Sequence, residues 1–238
     1  MGWTFTAAQL GPLSQALYEK MNITQVYLTL DYDTSENMKR SSYQNETTYI
    51  QLFVEECMRK NKVDLGAFNR LVFSEGGDPS EDFVVVGNNA LPVVISDTLE
   101  ELDELKTNRE FHDYYTRKFI EGFQKFDSHY KSSFVSYLRP LLNAKYEKNL
   151  YFEKKMAAKR IGSFRIQAVG RYERTSFKLL VNVYHKNELI KSEVVFECEP
   201  DMFIVKFEAY KVEITEETIS VINKVREITL EREIAEFI

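Results

Sequence analysis

The sequence predicts an α+β fold: an N-terminal short-stranded α/β layer, a helical middle, and a C-terminal antiparallel four-strand meander packed by a terminal helix. Three observations carry this. Apolar and polar residues alternate in successive runs after Phe164. From Asp97 to about Lys159 the apolar spacing is helical, with few strand signals. Before Asp97, short apolar runs are separated by stretches rich in Gly, Asn and Ser. The regions divide at 1–107, 108–160 and 161–238, within what can be one continuous domain.

The elements follow in order. Ala7 to Met21 keeps helical spacing, with Gly11-Pro12 delaying its start. Ile23 to Asp33 reads as a strand, because Val26, Leu28 and Leu30 alternate with Tyr27, Thr29 and Asp31. Met38 to Asn45 is polar and reads as a loop. Thr47 to Lys60 fits both periods, and the Arg59-Lys60 pair favours a helix, since cations suit its C-terminal end. Leu71 to Phe73 is a short apolar run, followed by a loop from Ser74 to Pro79. Phe83–Val86 and Leu91–Ile95 read as a hairpin joined by Gly87-Asn88-Asn89-Ala90, whose residues tolerate positive φ.

Asp97, with Glu100 three residues on, is a helix N-cap signal. Joints fall near Asn108 and Phe126-Asp127-Ser128, and Pro140 interrupts or starts a helix. Phe111, Tyr115, Phe119 and Phe123, spaced by four, form a stripe that packs on the core. The meander strands are Phe164–Tyr172, Phe177–Tyr184, Ile190–Phe196 and Phe203–Ile214, the last with a bulge-like slip of phase. Thr215 then caps a helix whose Ile219, Ile222 and Val225 cover the meander.

Composition bounds the function. The 238 residues are 44% hydrophobic, 29% charged and 13% aromatic, which is globular and not disordered. Cys57 and Cys198 make neither a disulfide framework nor a zinc site. With no signal-peptide pattern and no long apolar run, the reading is a cytoplasmic protein without a membrane partner. The P-loop, the dinucleotide fingerprint, the nucleophile elbow and the H-E-x-x-H and C-x-x-C motifs are all missing. No cofactor is expected.

Weak chemical signals remain. Asp31 and Asp33 end a strand, where they suit either a turn or a divalent metal. His112 and His129 neighbour carboxylates on a charged helix, where a solvated histidine is the plainer reading than a base. Cys57 beside Glu55 and Glu56 has an anionic setting that disfavours a nucleophile.

Charge is the strongest clue. The net charge is −6, yet Arg139 to Lys178 holds eleven basic residues against three acidic ones. Elsewhere Asp97, Glu100, Glu101, Asp103 and Glu104 form an acidic run that suits a basic protein partner. The polar face of the meander should collect Arg165, Gln167, Arg171, Lys178, Asn182, Tyr184, Lys191 and Glu193. Of these, Arg165, Arg171, Lys178, Tyr184 and Lys191 are the binding candidates, because Arg and Tyr anchor interfaces. A pI of about 5.3 disfavours nucleic acid and favours another protein as partner. The expected function is a non-catalytic cytosolic protein-binding module, of the inhibitor or toxin-neutralising immunity type. The alternative is a metal-dependent enzyme or binding protein acting on phosphate-bearing or nucleic-acid ligands.

Overall fold

A computed structural model of the chain describes residues 25–31, 36–63, 68–76 and 90–238. The predicted Ala7–Met21 helix and Phe83–Val86 strand lie outside these residues. The α+β class stands, with a parallel sheet first, helices next and antiparallel sheets last.

The first sheet has the order β1 (Gln25–Leu30), β2 (Arg70–Glu75), β3 (Ala90–Ile95), all parallel. Ser74 and Glu75, expected in a loop, complete β2. Leu91–Ile95 is a strand as predicted, and its described partner is the parallel β2. Among the described residues two helices lie between β1 and β2, as a parallel crossover requires. One is α1 (Asn37–Glu46), where the sequence suggested a loop. Its only buried side chain is Tyr43, so its polar surface concealed a helix held by a single anchor. The other is α2 (Thr48–Asn61), the predicted helix, which buries Tyr49, Ile50, Val54, Cys57 and Met58.

After β3 comes the short α3 (Leu99–Glu104), whose Leu99 N–H donates to Asp97 (3.1 Å). The long α4 (Asn108–Tyr130) begins in a capping box: the Glu110 N–H donates to Thr107 Oγ1 (3.2 Å) and the Thr107 N–H to Glu110 Oε2 (2.7 Å). The aromatic stripe faces the core as expected; Phe119 and Phe123 meet Phe73 of β2 edge-on. Gly122 permits that approach, because a Cβ there would lie 2.3 Å from the Phe73 ring. Next, α5 (Phe134–Tyr146) runs through Pro140, which was expected to interrupt or start a helix. Its buried Leu138, Leu142 and Tyr146 hold the helix despite the missing donor.

The helical middle ends at Tyr146, not near Lys159. Residues Phe152–Ile161 form β4, the edge of a four-stranded antiparallel sheet with β5 (Phe164–Tyr172), β6 (Phe177–His185) and β7 (Glu188–Cys198). As an edge strand with paired lysines, β4 carries little alternation. The β4–β5 turn uses Gly162 at φ 57° and the β6–β7 turn uses Lys186 and Asn187 at φ 49° and 70°. The predicted last strand of the meander is not in this sheet. Asp201 caps α6 (Met202–Glu208), accepting from the Phe203 and Ile204 N–H groups (2.6 and 3.3 Å).

The predicted terminal helix is also overturned. β8 (Lys211–Ile214), β9 (Thr218–Ile222) and β10 (Ile228–Glu233) form a second antiparallel sheet. Thr215 does make cap-like bonds, accepting from the Glu217 and Thr218 N–H groups (3.1 and 2.8 Å), but these close a hairpin. Asn223 closes the next one, accepting from the Val225 and Glu227 N–H groups (3.1 and 2.8 Å). The β-branched Ile219, Val221 and Ile222 between these turns suit a strand. Their sheet supplies the cover assigned to the helix. Ile219, Val221, Ile234 and Phe237 join one buried cluster with Ile166, Leu179, Val181 and Val183.

Candidate functional site

The register of the four-stranded sheet places its outer face row by row. Arg160, Arg165, Tyr184 and Leu189 lie side by side across β4, β5, β6 and β7. Below them, Gln167 neighbours Asn182, which accepts from the Ser192 hydroxyl (2.6 Å). A third row holds Val169, Leu180 and Val194. The last row is Glu153, Arg171, Lys178 and Glu197.

These rows differ in charge balance. In the last row acids neutralise the bases. Arg171 pairs with Glu153 (2.8 Å) and lies over the Tyr151 ring, while Lys178 pairs with Glu173 (2.8 Å) and more loosely with Glu197 (3.8 Å). The Glu173 carboxylate raises the Lys178 pKa, against the lowering effect of desolvation. In the first row Arg165 stacks on Tyr184, 4.3 Å from the ring centroid. Arg160 and Arg165 face each other directly across the two strands. Among the described residues neither has an acidic partner, and both side chains are exposed.

Four of the five predicted binding residues therefore share this face, two of them already neutralised. The fifth does not. Lys191 and Glu193 oppose Val183 and Val181, on the inner face. Leu179 faces Phe196 while Leu180 faces Val194, so Val195 is an extra residue in β7. That bulge inverts the alternation, because a one-residue shift moves every following side chain to the other face. Lys191 there donates to the Glu236 carbonyl (2.5 Å), and Glu193 meets Arg232 of β10 (3.3 Å). Arg160, which the sequence reading passed over, takes its place; a basic residue opposite another on a hairpin was the signal available.

A second polar cluster lies at the carboxyl end of the parallel sheet. Glu75, fully buried, accepts from the Tyr43 and Tyr114 hydroxyls (2.5 and 2.6 Å) and the Thr98 N–H (3.1 Å). It also pairs with the buried Lys118 (2.7 Å). Burial first, and the Glu75 carboxylate second, raise the Tyr43 hydroxyl pKa well above its usual value. The cluster holds its donors and acceptors mutually satisfied and ties β2, α1 and α4 together. Asp31 is beside it, its N–H donating to the Glu75 carbonyl (2.8 Å). Asp33 lies outside the described residues. Among the described residues no group of three or more His, Cys, Asp or Glu stands placed for a metal ion.

His112 is buried, contrary to the solvated reading. Its Nδ1 lies 2.9 Å from the Tyr49 hydroxyl and its Nε2 3.3 Å from Thr116 Oγ1. Burial, with a smaller contribution from Arg109, lowers its pKa to about 4. Burial pushes the Cys57 thiol up to about 11, with Glu56 adding to the effect. Among the described residues no helix is long and apolar enough to cross a membrane. Comparison of the chain with protein-family models, with curated proteins and with solved structures finds no match.

Proposed function

We propose that the chain is a non-catalytic protein-binding module that docks an acidic protein surface on the outer face of its four-stranded sheet. The observation that carries this reading is the Arg160–Arg165 pair. Like charges directly opposite on neighbouring strands repel, and here no carboxylate of the described residues relieves them. A partner's carboxylates would, since guanidinium groups accept them in a two-point geometry. Tyr184 restrains Arg165 by stacking, and the exposed Leu189 adds apolar area at the same end. A module of this kind suits an inhibitory or toxin-neutralising role in the cytoplasm.

The test compares the wild-type chain with an Arg160→Glu, Arg165→Glu variant. Both should melt alike, because both side chains are exposed. Polyglutamate and a short DNA duplex serve as defined probes of the two anion chemistries. The wild type should bind polyglutamate, more weakly as salt rises, and the variant should lose about 2 kcal/mol or more of that binding. Preference for the duplex, or equal binding by both chains, defeats the acidic-protein reading.

A further inference from the structure

We propose that the cleft between α4 and α5 binds a free α-amino acid with an apolar side chain. The two helices run antiparallel, as their ends show. Arg109, near the start of α4, donates to the Tyr146 and Glu147 carbonyls at the end of α5 (2.9 and 3.0 Å). Asp127, near the end of α4, accepts from the Phe134 and Val135 N–H groups at the start of α5 (3.1 and 2.7 Å). Between these ties the helices leave a cleft of about 830 Å³, a size that suits a small molecule. Ile120, Leu142 and Tyr146, all buried, give it an apolar floor.

The polar groups of the cleft select the ligand. His112 lines it and is 4% exposed. Burial raises the Tyr49 hydroxyl pKa, so the phenol keeps its proton and is the donor toward an imidazole nitrogen. Tyr49 therefore donates to Nδ1 (2.9 Å), and the neutral ring carries its own proton on Nε2. The nearest acceptor for that proton, Thr116 Oγ1, lies at 3.3 Å, which is long for an N–H···O bond. The Nε2–H group is thus a fixed donor with capacity for a ligand oxygen. The charges of the lining balance: Arg109, Arg117 and Arg139 stand against Asp113, Glu121 and Glu147. Glu101 engages Arg117, and the Ser96 N–H and hydroxyl engage Glu121 (2.6 and 2.8 Å). Arg139 and Asp113 are exposed, and among the described residues neither side chain has a hydrogen bond or ion pair. A balanced lining with one unpaired charge of each sign favours a zwitterion over an anion or a cation. The antiparallel register sets Arg139 near the level of Ile120, about 10 Å along α4 from Asp113 at 1.5 Å of rise per residue. The arginine side chain spans most of that distance. An α-amino acid, with its ammonium and carboxylate on one carbon, spans the remainder. Its ammonium meets Asp113, its carboxylate meets Arg139 and the His112 Nε2–H, and its side chain covers the apolar floor.

Isothermal titration calorimetry of the full chain reads this site, with L-leucine and L-phenylalanine as probes. At least one should bind saturably below about 10 mM. L-leucinamide, which lacks the carboxylate, and 4-methylpentanoate, which lacks the ammonium, should each bind about tenfold or more weakly than L-leucine, because each forfeits a charge-assisted hydrogen bond. Arg139→Gln should weaken L-leucine by a similar factor and leave L-leucinamide unchanged. Asp113→Asn should weaken L-leucine and leave 4-methylpentanoate unchanged. Both variants should melt as the wild type does, since both positions are exposed. Absence of saturable binding by both amino acids overturns the inference. So does an analogue that binds the wild type as tightly as L-leucine, or a variant that binds L-leucine undiminished. The cleft does not depend on the acidic-partner reading, since Arg160 and Arg165 lie on the four-stranded sheet.

Discussion

His112 illustrates how far one residue's environment departs from its neighbours in sequence. Glu110 and Asp113 flank it in the chain, yet its imidazole faces Tyr49 of α2 and Thr116 of its own helix. Burial in that setting favours the neutral ring. Its folded pKa of about 4 lies below the ordinary value of 6.5. Above pH 6.5 neither state binds the proton, and the full stability is present. As pH falls from 6.5 toward 4 the unfolded chain takes up a proton that the folded chain refuses, and stability drops. The loss should approach about 3 kcal/mol by the lower limit. Glu55 contributes with the opposite sign, because burial raises its carboxyl pKa. The informative quantity is therefore the difference between the wild type and a His112→Gln variant in urea unfolding across that range. The wild type should show the steeper decline, and equal slopes would remove His112 from the account. Glu75 is a second case of environment overriding sequence. Its partners Tyr43, Thr98, Tyr114 and Lys118 come from three other elements or their ends, so nothing near residue 75 announces a buried carboxylate.

Thr215 and Asn223 show the same ambiguity at the level of an element. A threonine hydroxyl that accepts from N–H groups two and three residues ahead serves a helix start and a hairpin equally well. The two interpretations differ in what Asn223 does. In a helix it would be an interior residue whose replacement by alanine is favourable. In the structure it is buried, and its carbonyl oxygen satisfies two backbone N–H groups of the β9–β10 turn while its amide reaches Glu227 (3.1 Å). Asn223→Ala should therefore cost about 1–2 kcal/mol, since it removes three hydrogen bonds made by a buried side chain that closes the turn. Thr215→Ala, at an exposed turn, should cost less. Thermal melts of the two variants check the order. β5 and β6 presented no such difficulty. Ile166, Ala168, Leu179, Val181 and Val183 are buried on one face, and each strand alternates over most of its length.

For the whole molecule, the inner face of the four-stranded sheet packs on the β8–β10 sheet and α6 through one continuous apolar cluster. Removing the chain after Ile214 would strip β9 and β10 from that cluster and expose Val181, Val183 and Val212. The shortened chain should lose its cooperative melting transition, read by near-ultraviolet circular dichroism. A retained transition would mean that the second sheet is dispensable. The residues alone determined β1, α2, β5, β6 and the antiparallel run from β5 to β7, because these elements bury one face over most of their length and so carry their period in their own side chains; α4 runs unbroken through Phe126–Ser128, where a joint was expected. They also determined that Arg165, Arg171, Lys178 and Tyr184 share a surface, since strict alternation on two paired strands leaves no other arrangement. Tertiary structure decided the rest. Lys154-Lys155 and Lys159-Arg160 on an edge strand erase alternation, so β4 acquires its strand identity only from β5. Phe203, Val205 and Phe207 are compatible with either period until Asp201 caps their helix. The bulge at Val195 turns Lys191 inward, and a single unpaired residue in a ladder is a property of two strands, which no one strand's sequence displays.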